Sequence, residues 1–166
     1  WYNNLLETNP DSYQKSLILP NLIRLLNLRK GESVLDLACG QGFFSREFAK
    51  SPAKIIGVDI SPELIEIARH LEGEQGRHLE GEQKKDGFVE YHISQAHKLD
   101  FLQNASIDKV IIVLSLQNIE NVNEVIKETS RVLKRGGKLF IVLNHPFFRI
   151  PKASSWGWDD RLKIQY

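Results

Sequence analysis

Five short apolar runs alternate with stretches at helical spacing, which predicts an α/β fold: a doubly wound parallel sheet with helices on both faces. Two further observations support this. Lys109-Val110-Ile111-Ile112-Val113-Leu114 is almost continuously aliphatic, as a central strand buried on both faces should be. Val34-Leu35-Asp36-Leu37 runs into the small loop Ala38-Cys39-Gly40-Gln41-Gly42 before the helical pattern of Phe43, Phe44 and Phe48. Glycine lacks the Cβ that would keep a ligand from the backbone, so this loop can be approached closely. The amides opening the next helix could receive a carboxylate or phosphate.

Each element can be justified in order. Residues 11–28 open with Asp11-Ser12 and place Ile18, Leu22, Leu25 and Leu26 on one helical face. Pro20 either starts the main helix or kinks it. Strand one is expected at about 33–38, and Ser51-Pro52 ends the helix after the loop. Strand two is Lys54–Asp59, followed by Ser61-Pro62-Glu63: a capping hydroxyl, proline at the first position and an acid in the first turn. Strand three is Val89–Ile93, strand four Lys109–Leu114, and a helix over 122–134 stops at Arg135-Gly136-Gly137 before strand five, Lys138–Leu143. Arg69-His70-Leu71-Glu72-Gly73-Glu74-Gln75 recurs word for word at 77–83 and reads as a local duplication lengthening a helix end or loop.

Composition narrows the function. The chain has 166 residues, which suits one domain, with 42% apolar and 26% charged residues. A net charge of +1 gives no electrostatic case for nucleic acid or an anionic membrane. Cys39 is the one cysteine, so no internal disulfide can form and a reducing, cytoplasmic setting is expected. No apolar run approaches the roughly 18 residues of a membrane-spanning helix. The chain begins at Trp1 and has no Met, as a trimmed fragment would. No His/Cys/Asp/Glu pattern at metal-ligand spacing is visible, and no Walker lysine follows the glycine loop.

A doubly wound sheet places its ligand crevice outside the carboxyl ends of its strands. Asp36–Gly42, Asp59–Ser61, Ser94–His97, Ser115–Asn118 and Asn144–Pro146 all fall on that edge. Asp59 closes strand two, where a carboxylate can accept two hydrogen bonds from a ribose diol; it can equally sit as an acid ahead of the Ser61 cap. The dinucleotide fingerprint Gly-x-Gly-x-x-Gly is incomplete, because Ser45 stands at its third glycine.

Asp36-Leu37-Ala38-Cys39-Gly40-Gln41-Gly42 resembles motif I of the class I S-adenosylmethionine-dependent methyltransferases, Asp/Glu-x-Gly-x-Gly-x-Gly, and Leu133-Lys134-Arg135-Gly136-Gly137 resembles that family's Leu-Lys-Pro-Gly-Gly segment. Ala38 replaces the first glycine of motif I, a turn that is plausible if its φ is negative. With the acid of strand two and the Ser94–Asp100 loop, the resemblance spans about residues 30–145; the near-neutral charge and absence of basic patches favour the small-molecule type, which resembles the quinone-biosynthesis methylases.

The resemblance implies a Rossmann-like sheet and S-adenosyl-L-methionine as cofactor. It implies cofactor contacts from Asp36, Ala38, Cys39, Gly40 and Gly42, from Asp59 to the ribose, and from Ile60, Gln95 and Ala96 to the adenine. Gln95 stands where the family usually has an acid, so its hydrogen bond would be neutral. Ser115 and Leu116 would lie beside the methionine portion, and Tyr13 would fold over the cofactor. Asn118 is a candidate for orienting the substrate, with Gln117 beside it, or these residues satisfy loop carbonyls. His145 is the candidate base, or it caps a loop. Phe147, Phe148, Trp156 and Trp158 either wall an acceptor site or belong to a core.

The family's sheet has seven strands, and this sequence shows nothing that reads as its last antiparallel pair. The expected layout is therefore one domain: an N-terminal helical cap over 1–30, a cofactor core over 31–146, and the start of a truncated substrate region over 147–166. An exposed sheet edge could support a dimer. The acceptor is expected to be a small molecule. The rival readings are an RNA or protein methyltransferase, an NAD-dependent oxidoreductase, and a non-catalytic module that binds the cofactor to regulate a partner.

Overall fold

The computed structural model describes residues 12–77, 88–144, 158–159 and 164–165. Its centre is a five-stranded sheet of β1 (Ser33–Leu37), β2 (Lys54–Asp59), β3 (Val89–Ile93), β4 (Ile107–Val113) and β5 (Leu133–Val142). All neighbours run parallel, in the order β3-β2-β1-β4-β5. The order reverses at β1, so the carboxyl ends of β1 and β4 form the switch point where such sheets bind ligands.

Alternation along each strand supplies two cores. Val34, Ile55, Val89, Tyr91 and Ile111 face helices α1 (Leu19–Leu26), α2 (Phe43–Phe48) and α3 (Pro62–Arg77), meeting Leu22, Leu26, Phe48, Ile65 and Ala68. Leu35, Leu37, Ile56, Val58, Val110 and Ile112 face the other side, meeting Leu99 and the Val125 and Val132 of α4 (Val122–Val132). Helices therefore cover both faces, as the aliphatic strands require.

Local chemistry sets the boundaries. The Ser61 hydroxyl accepts the Leu64 amide at 3.2 Å, and Pro62 opens α3. Pro20 sits in the first turn of α1, preceded by a π-helical turn over Gln14–Ile18, and Asn27 closes α1 in the left-handed conformation (φ 43°). The expected helix over 122–134 ends at Val132, and β5 begins at Leu133 rather than Lys138. Leu133 pairs with Ile107, and the ladder resumes only at Lys109 and Lys138, so the Gly136-Gly137 turn bulges out within the strand. Gly136 takes φ 82° there.

No residue of β5 is buried, and Ile141 and Leu143 are exposed. Beyond it, β6 (Trp158–Asp159) and β7 (Ile164–Gln165) form a separate antiparallel ladder. Two residues per strand are too few to leave an alternating pattern, which is why the sequence showed no strand pair there. The second copy of the duplicated segment, apart from its start at Arg77, lies outside the described residues. Among the described residues, no helix is long and apolar enough to cross a membrane.

Candidate functional site

The loop after β1 is held open by an unusual backbone. Ala38, Gly40 and Gly42 all have positive φ, at 60°, 56° and 75°. The negative φ that would have suited Ala38 is not adopted: the alanine occupies the left-handed region that favours glycine. The Cys39 amide donates to the Val58 carbonyl at 2.9 Å, tying the loop to β2. Gly42 cannot be replaced freely, because a Cβ there would collide with the ring and hydroxyl of Tyr91.

Two buried carboxylates flank this loop. Asp59 at the end of β2 accepts the Gly40 amide at 2.7 Å on Oδ2 and the Ser61 amide at 3.0 Å on Oδ1. A carboxylate has about four acceptor positions, so each oxygen keeps one free. Asp36, in β1, accepts the Ser45 hydroxyl at 2.5 Å. Burial, with the Asp59 charge adding to it and the Ser45 hydrogen bond opposing, pushes its carboxyl up to about 6. Burial, with both acids adding, also pushes the Cys39 thiol well up. Neither Asp36 nor Asp59 is paired with a Lys or Arg among the described residues. The buried Arg46 guanidinium donates to the Gln41 carbonyl of this loop at 2.5 Å, so the loop carries one cation on its backbone while the two carboxylates are held by amide and hydroxyl donors.

Beside it opens a cavity of about 330 Å³. Its walls include Ala38 and Asp59 from the strand ends, the exposed Ile60, Gln95 and Ala96 from the loop after β3, and Asn118. Four of the five segments expected on this edge are described in full, and each reaches the cavity: Ala38 after β1, Asp59 and Ile60 at the end of β2, residues 94–97 after β3, and Asn118 after β4. Ser115 and Leu116 do not line it; Leu116 packs towards the α4-side core, and the Ser115 hydroxyl is buried with no partner among the described residues. Asp36, Cys39, Gly40 and Gly42 shape the loop without lining the cavity. Tyr13 is half-exposed and lies outside its lining. Gln117 donates to the Leu114 carbonyl at 2.8 Å, so it satisfies the loop backbone. His145 and the aromatic residues 147–156 lie outside the described residues, as does the side chain of Trp158.

Several contributors were not foreseen. Ser45 was noted only as a missing glycine, yet it holds Asp36. Ile119, Glu120 and Asn121 also line the cavity, beside His97 of the expected Ser94–His97 segment. Leu114, just after β4, takes φ 53°, so strained backbone follows both adjacent strands of the switch point. Arg131 and Glu128 of α4 clamp the chain behind Gln95–His97. The Arg131 guanidinium reaches the Leu99 carbonyl at 3.0 Å and the Leu102 carbonyl at 2.9 Å, while Glu128 accepts the Leu99 amide at 2.9 Å. A helical acid three residues before an arginine was the only signal of that pair. Among the described residues, no group of three or more His, Cys, Asp or Glu could hold a metal ion.

Comparison with known proteins gives this geometry a context. A family described as a methyltransferase domain matches residues 35–141. The chain is similar to the ubiquinone biosynthesis O-methyltransferase of Xanthomonas oryzae pv. oryzae, at 34% identity over 137 residues, covering 79% of this chain and 53% of that protein. It is also similar to the ubiquinone/menaquinone biosynthesis C-methyltransferase UbiE of Hydrogenovibrio crunogenus, at 32% identity, covering 87% of this chain and 60% of that one. Among solved structures, a SAM-dependent methyltransferase from Methanosarcina mazei superposes with a TM-score of 0.60 at 30% identity, covering 72% of this chain and 55% of that one. The chain spans about half the length of the first of these relatives.

Proposed function

The chain belongs to the methyltransferase-domain family, of the class I S-adenosylmethionine-dependent type, and from that premise we propose that it transfers the methyl group of S-adenosylmethionine to a small quinone-type acceptor. The observation that carries this reading is the pair of buried carboxylates, Asp36 and Asp59, neither of which forms an ion pair among the described residues. A buried charge without a partner is costly, so the site favours a ligand that brings positive charge. The methyl donor is a sulfonium that also carries an ammonium group. A nicotinamide dinucleotide brings a pyrophosphate, which these acids would repel, so the oxidoreductase reading loses ground. The cavity is lined by neither Lys nor Arg, which speaks against an RNA substrate at this crevice.

The free acceptor positions of Asp59 would hold the ribose hydroxyls. Ile60 would pack on the adenine, with Gln95 accepting from its amino group and the Ala96 amide donating to a ring nitrogen. Ala38, Cys39, Gly40 and Gly42 would present the loop backbone to the methionine portion, which Ser115 and Leu116 would border. Asp36 would offset its positive charge. When bound, the donor supplies an activated methyl carbon, so the protein's task is alignment, which can contribute up to about 7–11 kcal/mol. Asn118 is proposed to orient the acceptor, and His145 to take its proton where one must leave. Tyr13 is proposed as a cover, with residues 1–30 the cap and 31–146 the cofactor core.

The relatives named above are an O- and a C-methyltransferase, so the methylated atom is read directly from products. Incubation with labelled S-adenosylmethionine and either a polyprenyl catechol or a demethylated quinol should label one of them, with mass fragmentation locating the methyl group. Label in neither, with the donor demonstrably bound, would leave a binding module. Transfer only to RNA or protein would replace the acceptor class.

A further inference from the structure

A second cavity, of about 540 Å³, opens at the opposite rim, outside the amino ends of the strands. Six cations and two acids line it. Both acids are already committed. Lys109 ion-pairs with Glu32, and Lys134 lies 2.7 Å from Asp108, whose Oδ2 also accepts the Ser33 amide at 2.9 Å. That leaves Arg24, Arg29, Arg135 and Lys138 without a carboxylate partner among the described residues; Arg24 reaches only the Asn21 carboxamide, 3.4 Å away.

We propose that this rim is a binding site for an anionic phosphate group, carried either by a soluble polyphosphate or by an anionic phospholipid headgroup. Three observations support it. The four uncommitted cations come from separate places in the sequence: the end of α1, the turn before β1, and the bulge and later ladder of β5. They are brought together by the sheet rather than by one helix's repeat. Three are arginines, whose planar forks match phosphate oxygens. The excess is also local: six cations face two acids here, on a chain whose net charge is only +1. Gathering like charge in one concavity costs self-repulsion, which an anion relieves and which focuses the field on it.

The volume lies within the range of small-molecule sites, so a phosphate-bearing group of nucleotide or headgroup size fits better than a nucleic-acid strand along a groove. Gly136 opens the rim further, since nothing lies within 4 Å of where its Cβ would stand. The site shares no lining residue with the crevice of Asp59. The five residues of β1, about 16 Å, separate the two rims. One ligand therefore cannot serve both.

The test uses the whole chain with two probes. Inorganic tripolyphosphate is titrated by calorimetry, and the protein is sedimented with phosphatidylcholine vesicles with and without phosphatidylglycerol. Three proteins are compared: the parent, Arg29→Gln with Arg135→Gln, and Lys50→Gln as a remote charge control, with thermal melts confirming that each folds. One-to-one tripolyphosphate binding that weakens about tenfold or more in the double variant alone supports a soluble ligand, since two lost charge-assisted contacts suffice for that factor. Sedimentation only with phosphatidylglycerol vesicles, lost in the double variant alone, supports the headgroup. No binding of either probe, or equal loss in the control, would overturn the proposal. Affinity for S-adenosylmethionine should be the same in all three proteins, so this result stands or falls apart from the methyl-donor reading.

Discussion

Asp36 is the side chain whose buried charge most clearly costs the fold stability. Its folded pKa of about 6 lies above the ordinary 3.8, so the folded chain holds a proton that the unfolded chain has released. Stability of the unliganded protein should therefore fall as pH rises from about 4 to 6, by about 3 kcal/mol in all. Asp36→Asn keeps an acceptor for Ser45 and removes the buried charge. Urea unfolding at pH 7 should show the variant about 1–3 kcal/mol more stable than the parent, with a flatter pH profile, while its affinity for S-adenosylmethionine drops. A less stable variant would mean that Asp36 is satisfied by something other than the proposed ligand. Ala38 makes the second prediction at this scale. Its φ of 60° is strained for a residue with a Cβ, so Ala38→Gly should stabilise the fold by ~0.5–1 kcal/mol after the added freedom of the unfolded chain is counted. No gain in the denaturation midpoint would contradict the strain. Motif spacing identified this residue, but a backbone angle is invisible in a one-letter code.

Elements were legible where one periodicity dominated. The bounds of β2 and β3 follow from apolar runs ended by Asp59 and Ser94, and α3 from Ser61-Pro62-Glu63. Reading was poorer where tertiary pairing overrides local signal. Leu133 reads as the last apolar position of α4, yet it pairs with Ile107 because the bulge lets β5 start early. The clamp from α4 to the loop behind the cavity was likewise hidden, since long-range side-chain bonds to carbonyls leave no pattern. It can be tested directly. Arg131→Met removes the bonds to Leu99 and Leu102 while keeping much of the side chain's bulk, and should cost about 2 kcal/mol. Amide exchange over 95–104 should quicken and S-adenosylmethionine affinity should fall several-fold. The Arg131 hydrogen bond holds the Glu128 carboxyl below its ordinary range despite burial. The clamp's contribution is therefore present above the ordinary carboxylate range and lost as the pH falls below it. Unchanged exchange in the variant would show that the loop holds itself. Gly42→Ala belongs at this scale too: a collision with Tyr91 at φ 75° should unseat the start of α2 and abolish tight binding of the donor, which equilibrium dialysis would detect.

At the scale of the molecule, the sheet separates two chemistries. Its carboxyl rim gathers acids that form no ion pair among the described residues beside a cavity, and its amino rim gathers uncommitted cations beside another. The first was legible because acid and glycine spacing in one stretch is local. The second was not, because a net charge of +1 conceals how charge is distributed in space. The central claim is that the carboxyl rim selects a cationic adenosyl ligand, and competitive calorimetry tests it most directly. The account predicts one-to-one binding of S-adenosylmethionine in preference to NADH, weakened about tenfold or more by Asp59→Asn. Preference for NADH, or S-adenosylmethionine binding indifferent to that substitution, would contradict it.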